Sequence, residues 1–150
     1  MINNISHKHF CFLAPPFLSH LTPMLSLAQS LFSLGMKVTI GCSDSFQSLI
    51  EAKGFDFTEI RINLNANRGS AINTDQIDSE KQRLDDFFEA TKKGAVDTLS
   101  LQIRHRGKDM FANPDEVFQS INHIHSAIRP DLWIVDQLSY SVTISLIALQ

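Results

Sequence analysis

Phe10-Cys11-Phe12-Leu13-Ala14 is an apolar run too short for a helix, and Pro15-Pro16 cuts it off. Such a run suits a strand buried on both faces, because proline removes the next ladder donor and fixes the backbone. After a turn carrying Ser19 and His20, a helix start is legible. Thr22 fits the N-cap, Pro23 the first helical position and Gly35 the C-cap. Between them Leu25, Leu27, Ala28, Leu31, Phe32 and Leu34 recur at helical spacing. Lys37 to Cys42 then reads as a second strand. Strand, helix, strand is a βαβ unit, so its strands are parallel and its crossover right-handed.

The remaining chain continues in the same alternation. Ser43-Asp44-Ser45 offers caps for a short helix over Phe46 to Lys53, closed by Gly54, and Phe55 to Ile62 reads as a third strand. Asn63 to Ser79 is polar and aperiodic, which predicts a long loop. A helical pattern returns from Glu80 to about Arg104 through Leu84, Phe87, Phe88, Thr91, Ala95 and Leu99. Asn113-Pro114-Asp115-Glu116 starts another helix, which Pro130 stops, and Arg104-His105-Arg106-Gly107-Lys108 falls between the two as a basic patch. At a helix end those cations complement the dipole, and an anion or lipid site is the alternative. Pro130 to Asp136 gives a fourth strand that ends in a single acid. The pattern predicts an α/β fold, a Rossmann-like parallel sheet with helices on both faces.

Ser139 to Gln150 reads as a final helix with Val142, Ile144, Leu146, Ile147 and Leu149 and no capping signal. It predicts exposed apolar surface, self-association through that helix, and a longer protein of which these residues are the front part.

Composition excludes several classes. With 43% apolar and 19% charged residues the chain falls among globular proteins, and a net charge of −3 argues against a nucleic-acid partner. MINNISHKHF lacks the apolar core of a signal peptide, so a cytoplasmic location is expected. Cys11 and Cys42 both fall in predicted strands and read as small core residues. The first strand-to-helix turn, Pro15 to Leu21, holds no glycine, so neither a dinucleotide fingerprint nor a P-loop fits there. No HxxxH, CxxC, GxSxG or Asp-x-Asp pattern supplies a metal or a serine nucleophile, and no metal site is expected.

What the turn does hold is His20. In an open parallel sheet, ligands gather beyond the carboxyl ends of the strands. His20 follows the first strand and Asp136 ends the fourth, so both belong to that edge. A histidine held by a carboxylate makes a general base for a hydroxyl, since the carboxylate fixes the tautomer and stabilises the imidazolium. The bland alternative is a polar loop histidine and an aspartate that caps the next helix. His7 and His9 lie near the start of the chain, while His123 and His125, two apart, fall on different helix faces.

These residues carry a resemblance. From Ala14 to Ile60 the sequence resembles the opening of the UDP-glycosyltransferase family with the GT-B fold, with His20, Pro23, Leu27, Ala28, Leu31, Gly35, Val38 and Thr39 in the family's places. PDLWIVDQLSY, Pro130 to Tyr140, resembles the later strand whose terminal Asp partners the His, and APPFLSH is similar to the bacterial carotenoid (zeaxanthin) glucosyltransferase branch. The resemblance covers roughly residues 9–62 and 130–149. It implies that residues 1–150 are a partial N-terminal, acceptor-binding domain of a GT-B enzyme, with the donor domain outside them. It also implies inverting transfer from a nucleotide sugar, a UDP-sugar, to a hydroxyl of a small apolar acceptor, with no further cofactor. His20 would be the base and Asp136 its orienting partner. Ser19 would reach the donor phosphates, although many members have Gly in its place. Phe17, Leu18, Ser139 and Tyr140 would border the acceptor, and a lipophilic acceptor would bring the protein to a membrane surface. The rival readings are a GT-B-fold epimerase acting on the nucleotide sugar, and a non-catalytic interaction domain with no use for His20 or Asp136.

Overall fold

The computed structural model describes residues 8–60, 78–111, 114–137 and 139–149. Four parallel strands form one sheet: β1 (His9–Leu13), β2 (Lys37–Cys42), β3 (Asp56–Glu59) and β4 (Leu132–Val135), in the order β3-β2-β1-β4. The central strand β1 pairs Phe10 with Val38 on one side and with Leu132 on the other. Because successive side chains on a strand face opposite ways, β1 serves two cores at once. Phe12 and Ala14 pack with Leu21, Leu25 and Ala28 of α1 (Leu18–Ser33) and Ile50 of α2 (Gln47–Glu51). Cys11 and Leu13 pack with Val117, Ile121 and Ile124 of α5 (Pro114–Ile128) and Val142 of α6 (Tyr140–Ala148). Helices therefore cover both faces, as the apolar run of β1 requires.

Both cysteines are free and buried, one in each core. Burial pushes the Cys11 thiol up to about 12 and the Cys42 thiol up to about 11, which leaves neither reactive near neutral pH.

The termination signals hold. Gly35, at φ +82°, closes α1, with its N–H donating to Phe32 O at 2.9 Å and Met36 N–H to Leu31 O at 3.2 Å. A 3-10 turn, Asp44–Phe46, capped by Ser43, leads into α2, and Gly54 at φ +83° follows it. Pro114 opens α5.

Three expectations are corrected. First, α1 starts at Leu18, not after a Thr22 cap. Phe17 is the N-cap with extended backbone (φ −127°, ψ 126°), and its carbonyl accepts from the N–H groups of His20 and Leu21 at 3.0 and 2.9 Å. Burying Leu21 completely draws the chain into helix a turn early, so Pro23 lies inside the helix. Second, the helix expected over Glu80 to Arg104 is two: α3 (Asp78–Lys93) and α4 (Ala95–Met110), parted by Gly94 at φ +119°. Third, the basic patch expected between helices belongs to α4 itself. Of the predicted loop, residues 63–77 lie outside the described residues, and Asp78 and Ser79 are in α3.

At the amino edge of the sheet, His9 ties β1 to β2 and to Asp131, the residue just ahead of β4. Its Nε2 meets Thr39 Oγ1 at 2.8 Å, and its N–H donates to Asp131 Oδ2 at 2.8 Å. Asp131 Oδ1 also pairs with Lys8 Nζ at 2.6 Å, and that hydrogen bond above all holds the carboxyl below its usual range. No helix among the described residues is long and apolar enough to cross a membrane.

Candidate functional site

The order β3-β2-β1-β4 reverses direction at β1. From the carboxyl end of β1 the chain enters α1 on one face of the sheet, and from β4 it enters α6 on the other. Two chains leaving adjacent parallel strands in opposite directions open a crevice between them, the usual place for a ligand. Asp136 sits at its edge, its N–H donating to Leu13 O at 3.1 Å and so extending the β1–β4 ladder by one rung. His20 is the third residue of α1.

The two side chains meet across the crevice. His20 Nδ1 lies 2.9 Å from Asp136 Oδ2, with the side chains 29% and 12% exposed. A carboxylate on Nδ1 makes that nitrogen the donor, which leaves the lone pair on Nε2. The ring thus keeps one nitrogen anchored and the other able to accept a proton. Phe17 packs against it, ring centroids 5.9 Å apart at 55°.

The other expected site residues take different places. Leu18 and Ser19, the first two residues of α1, are exposed. Their N–H groups are in the first turn of the helix, where the intrahelical ladder has no acceptor for them. Tyr140 opens α6 and is exposed. Ser139 is 2% exposed, its N–H donates to Asp136 O at 2.9 Å, and its hydroxyl has no partner among the described residues. It supports the turn behind Asp136 more than it borders open space. Phe111, just past α4, was not singled out from the sequence; its ring lies 5.9 Å from that of Tyr140. Nothing in the chain's periodicity signals this contact, because it joins two helices through one exposed aromatic pair.

A second concavity runs between α1 and α2, lined among others by Thr22, Ser26, Gln29, Ser30 and Leu49. The hydroxyls of Ser26 and Ser30 donate to carbonyls of their own helix. Among the described residues no cluster of three or more His, Cys, Asp and Glu side chains stands together.

No family model and no curated protein matches the sequence. Solved structures do match. The glycosyltransferase of kitacinnamycin is 18% identical, with 95% of this chain and 28% of that one aligned at a TM-score of 0.55. SsfS6, a glycosyltransferase of Streptomyces sp. SF2575 complexed with thymidine diphosphate, is 15% identical over 95% of this chain and 36% of its own, at 0.57. The glycosyltransferase VinC, in complex with DTDP, is 20% identical over 95% and 32%, at 0.55. The chain spans about a third of the length of these structures. Its fold is the Rossmann-like α/β fold found in glycosyltransferases of the GT-B class.

Proposed function

We propose that this chain carries the acceptor side and the catalytic base of an inverting glycosyltransferase. The observation that carries the reading is the His20–Asp136 pair, 2.9 Å apart at the reversal point of the sheet. Nε2 of His20 takes the proton of an acceptor hydroxyl as that oxygen attacks the anomeric carbon of a nucleotide sugar. A carbon–oxygen bond forms on one face while the bond to the diphosphate breaks on the other, so the anomeric centre inverts. Asp136 holds the ring and stabilises the imidazolium that results.

The donor's diphosphate is assigned to the start of α1. The N–H groups of Leu18 and Ser19 and the positive end of the helix favour an anion, and the Ser19 hydroxyl adds a donor. Two of the similar structures hold thymidine diphosphate, and the resemblance of the sequence is to UDP-sugar enzymes, so a nucleoside diphosphate sugar is the shared chemistry. Phe17 packs against the base, and the exposed Tyr140 opens the helix that follows Asp136, apolar surface that suits an acceptor of the kind the carotenoid-branch resemblance implies. The scheme uses no metal ion.

The test is transfer by the protein carrying His20→Ala or Asp136→Asn. A positioned base contributes roughly 10²- to 10⁴-fold. His20→Ala should lose that much turnover while donor binding persists. Asp136→Asn should lose less, because the amide oxygen still orients the ring. Near-normal rates of His20→Ala on an unactivated alcohol would refute the assignment.

A further inference from the structure

Gly41 stands inside β2, where a residue without a side chain weakens the strand and marks a close approach by something else. What approaches is Leu13. The two are register partners across β1 and β2, so their side-chain positions share one face of the sheet. A Cβ on residue 41 would overlap Leu13 Cδ2 and would press on Thr58 Cγ2 at 3.3 Å and Ile60 Cγ2 at 3.4 Å. Carbon atoms rest at about 3.5–4.0 Å, so nothing larger than hydrogen fits there without movement. A leucine tip at a surface would swing aside. Leu13 is wholly buried, in a core that includes Ile60, Val117, Ile121 and Val142, and has no free space to swing into.

Both arms of the dyad hang from the end of β1 that Leu13 forms. The Leu13 carbonyl accepts from the Asp136 N–H at 3.1 Å. The next residue, Ala14, donates its N–H to the Gly41 carbonyl at 3.0 Å, and three residues later Phe17 is the N-cap of the helix whose first turn carries His20. A methyl group at position 41 could be accommodated in two ways. If the backbone of β1 gives, it moves the carbonyl that fixes Asp136 and the chain that leads to His20. If the Leu13 side chain gives, it pushes into core neighbours that include Val142, in the first turn of α6. Ser139, the N-cap of that helix, donates its N–H to the Asp136 carbonyl at 2.9 Å. Both routes end at the contact between His20 and Asp136.

We propose that Gly41 is a positioning residue for the dyad. The space it leaves seats Leu13, and the seat of Leu13 sets the 2.9 Å approach of His20 Nδ1 to Asp136 Oδ2. The effect on that geometry stands apart from the transferase reading, and the effect on turnover rests on it.

The test compares Gly41→Ala with Gly41→Ala carrying Leu13→Val, which removes the Cδ atoms that the new methyl would meet. Nitrogen NMR reads the tautomer of His20 in each, and transfer kinetics give kcat and KM. Gly41→Ala should lose part of the Nδ1–H signature and lower kcat by roughly 10- to 10²-fold, the scale of a misplacement of about 1 Å, with little change in KM. The double variant should recover the tautomer and most of the turnover. A lower urea midpoint for Gly41→Ala with the parent's tautomer and kcat would show a role in stability alone and overturn the proposal. A folded double variant that keeps the defect of Gly41→Ala would overturn it too. If Gly41→Ala does not fold, the double variant decides: the parent's tautomer supports the proposal, and an altered tautomer or an unfolded protein overturns it. An altered tautomer in Gly41→Ala with unchanged transfer would uphold the positioning role and refute His20 as the base.

Discussion

The β1–α1–β2 unit buries its strands and one stripe of α1, although Leu27, Phe32 and Leu34 stay exposed, whereas the α3–α4 segment leaves most of its large apolar residues at the surface. In the first, Phe12, Leu13, Leu21 and Ile40 are wholly buried, and each lies in one of the two cores on β1. In the second, Leu84, Phe88, Val96, Leu99 and Ile103 are exposed, and Ala90 is its buried apolar residue among those described. The first unit is a scaffold whose register cannot shift without turning its apolar side chains to water. The second leaves most of its large apolar side chains at the surface. The dyad belongs to the scaffold, which is why its geometry is defined: one partner is anchored in the ladder through the Asp136 N–H, and the other in the first turn of a helix packed on the sheet through Leu21, Leu25 and Ala28.

The widest break in this contrast is expected from Phe12→Ala beside Leu99→Ser. The first empties a fully buried site and should cost about 3–5 kcal/mol, a large part of a domain's stability. The second removes an exposed side chain and should stay within about 0.5 kcal/mol. Urea unfolding of both variants measures the difference. Equal losses would show that α4 is packed as tightly as the sheet.

A smaller effect sharpens the account at the opposite edge. Burial first, then the nearby Lys37, lowers the pKa of His9, while its hydrogen bond to the Ile128 carbonyl and the charges of Asp56 and Asp131 act to raise it. The unfolded chain takes up this proton near pH 6.5, the folded protein only below that. Within this window the unfolded state binds more protons, so stability rises with pH and is lost as pH falls from about 6.5. The drop in urea midpoint between neutral and mildly acidic buffer should be smaller in His9→Gln than in the parent. An equal drop in both would place the sensitivity elsewhere.

The strands were legible because proline and glycine punctuate them and because β1 and β2 are apolar enough to be buried on both faces. Lys37 to Cys42 was read with its observed limits for that reason. The start of α1 was misread because Thr22-Pro23 imitates a cap so well. Propensity there yields to the burial of Leu21, which no local signal announces. The break at Gly94 was missed because apolar spacing continues across it, while the helix ends on a single backbone angle. Of the site, His20 and Asp136 were legible since each follows a parallel strand, and topology then brings both to one edge. The burial of Ser139 and the Phe111–Tyr140 contact depend on how α6 seats against its neighbours, which residue spacing does not encode.

The most direct measurement of the central claim is the tautomer of His20, read by nitrogen NMR on the protein at a pH where the ring is neutral. A carboxylate 2.9 Å from Nδ1 requires the proton there and the lone pair on Nε2. The account predicts the Nδ1–H tautomer in the parent and a shift toward Nε2–H in Asp136→Ala. An Nε2–H ring in the parent, indifferent to Asp136, would contradict it.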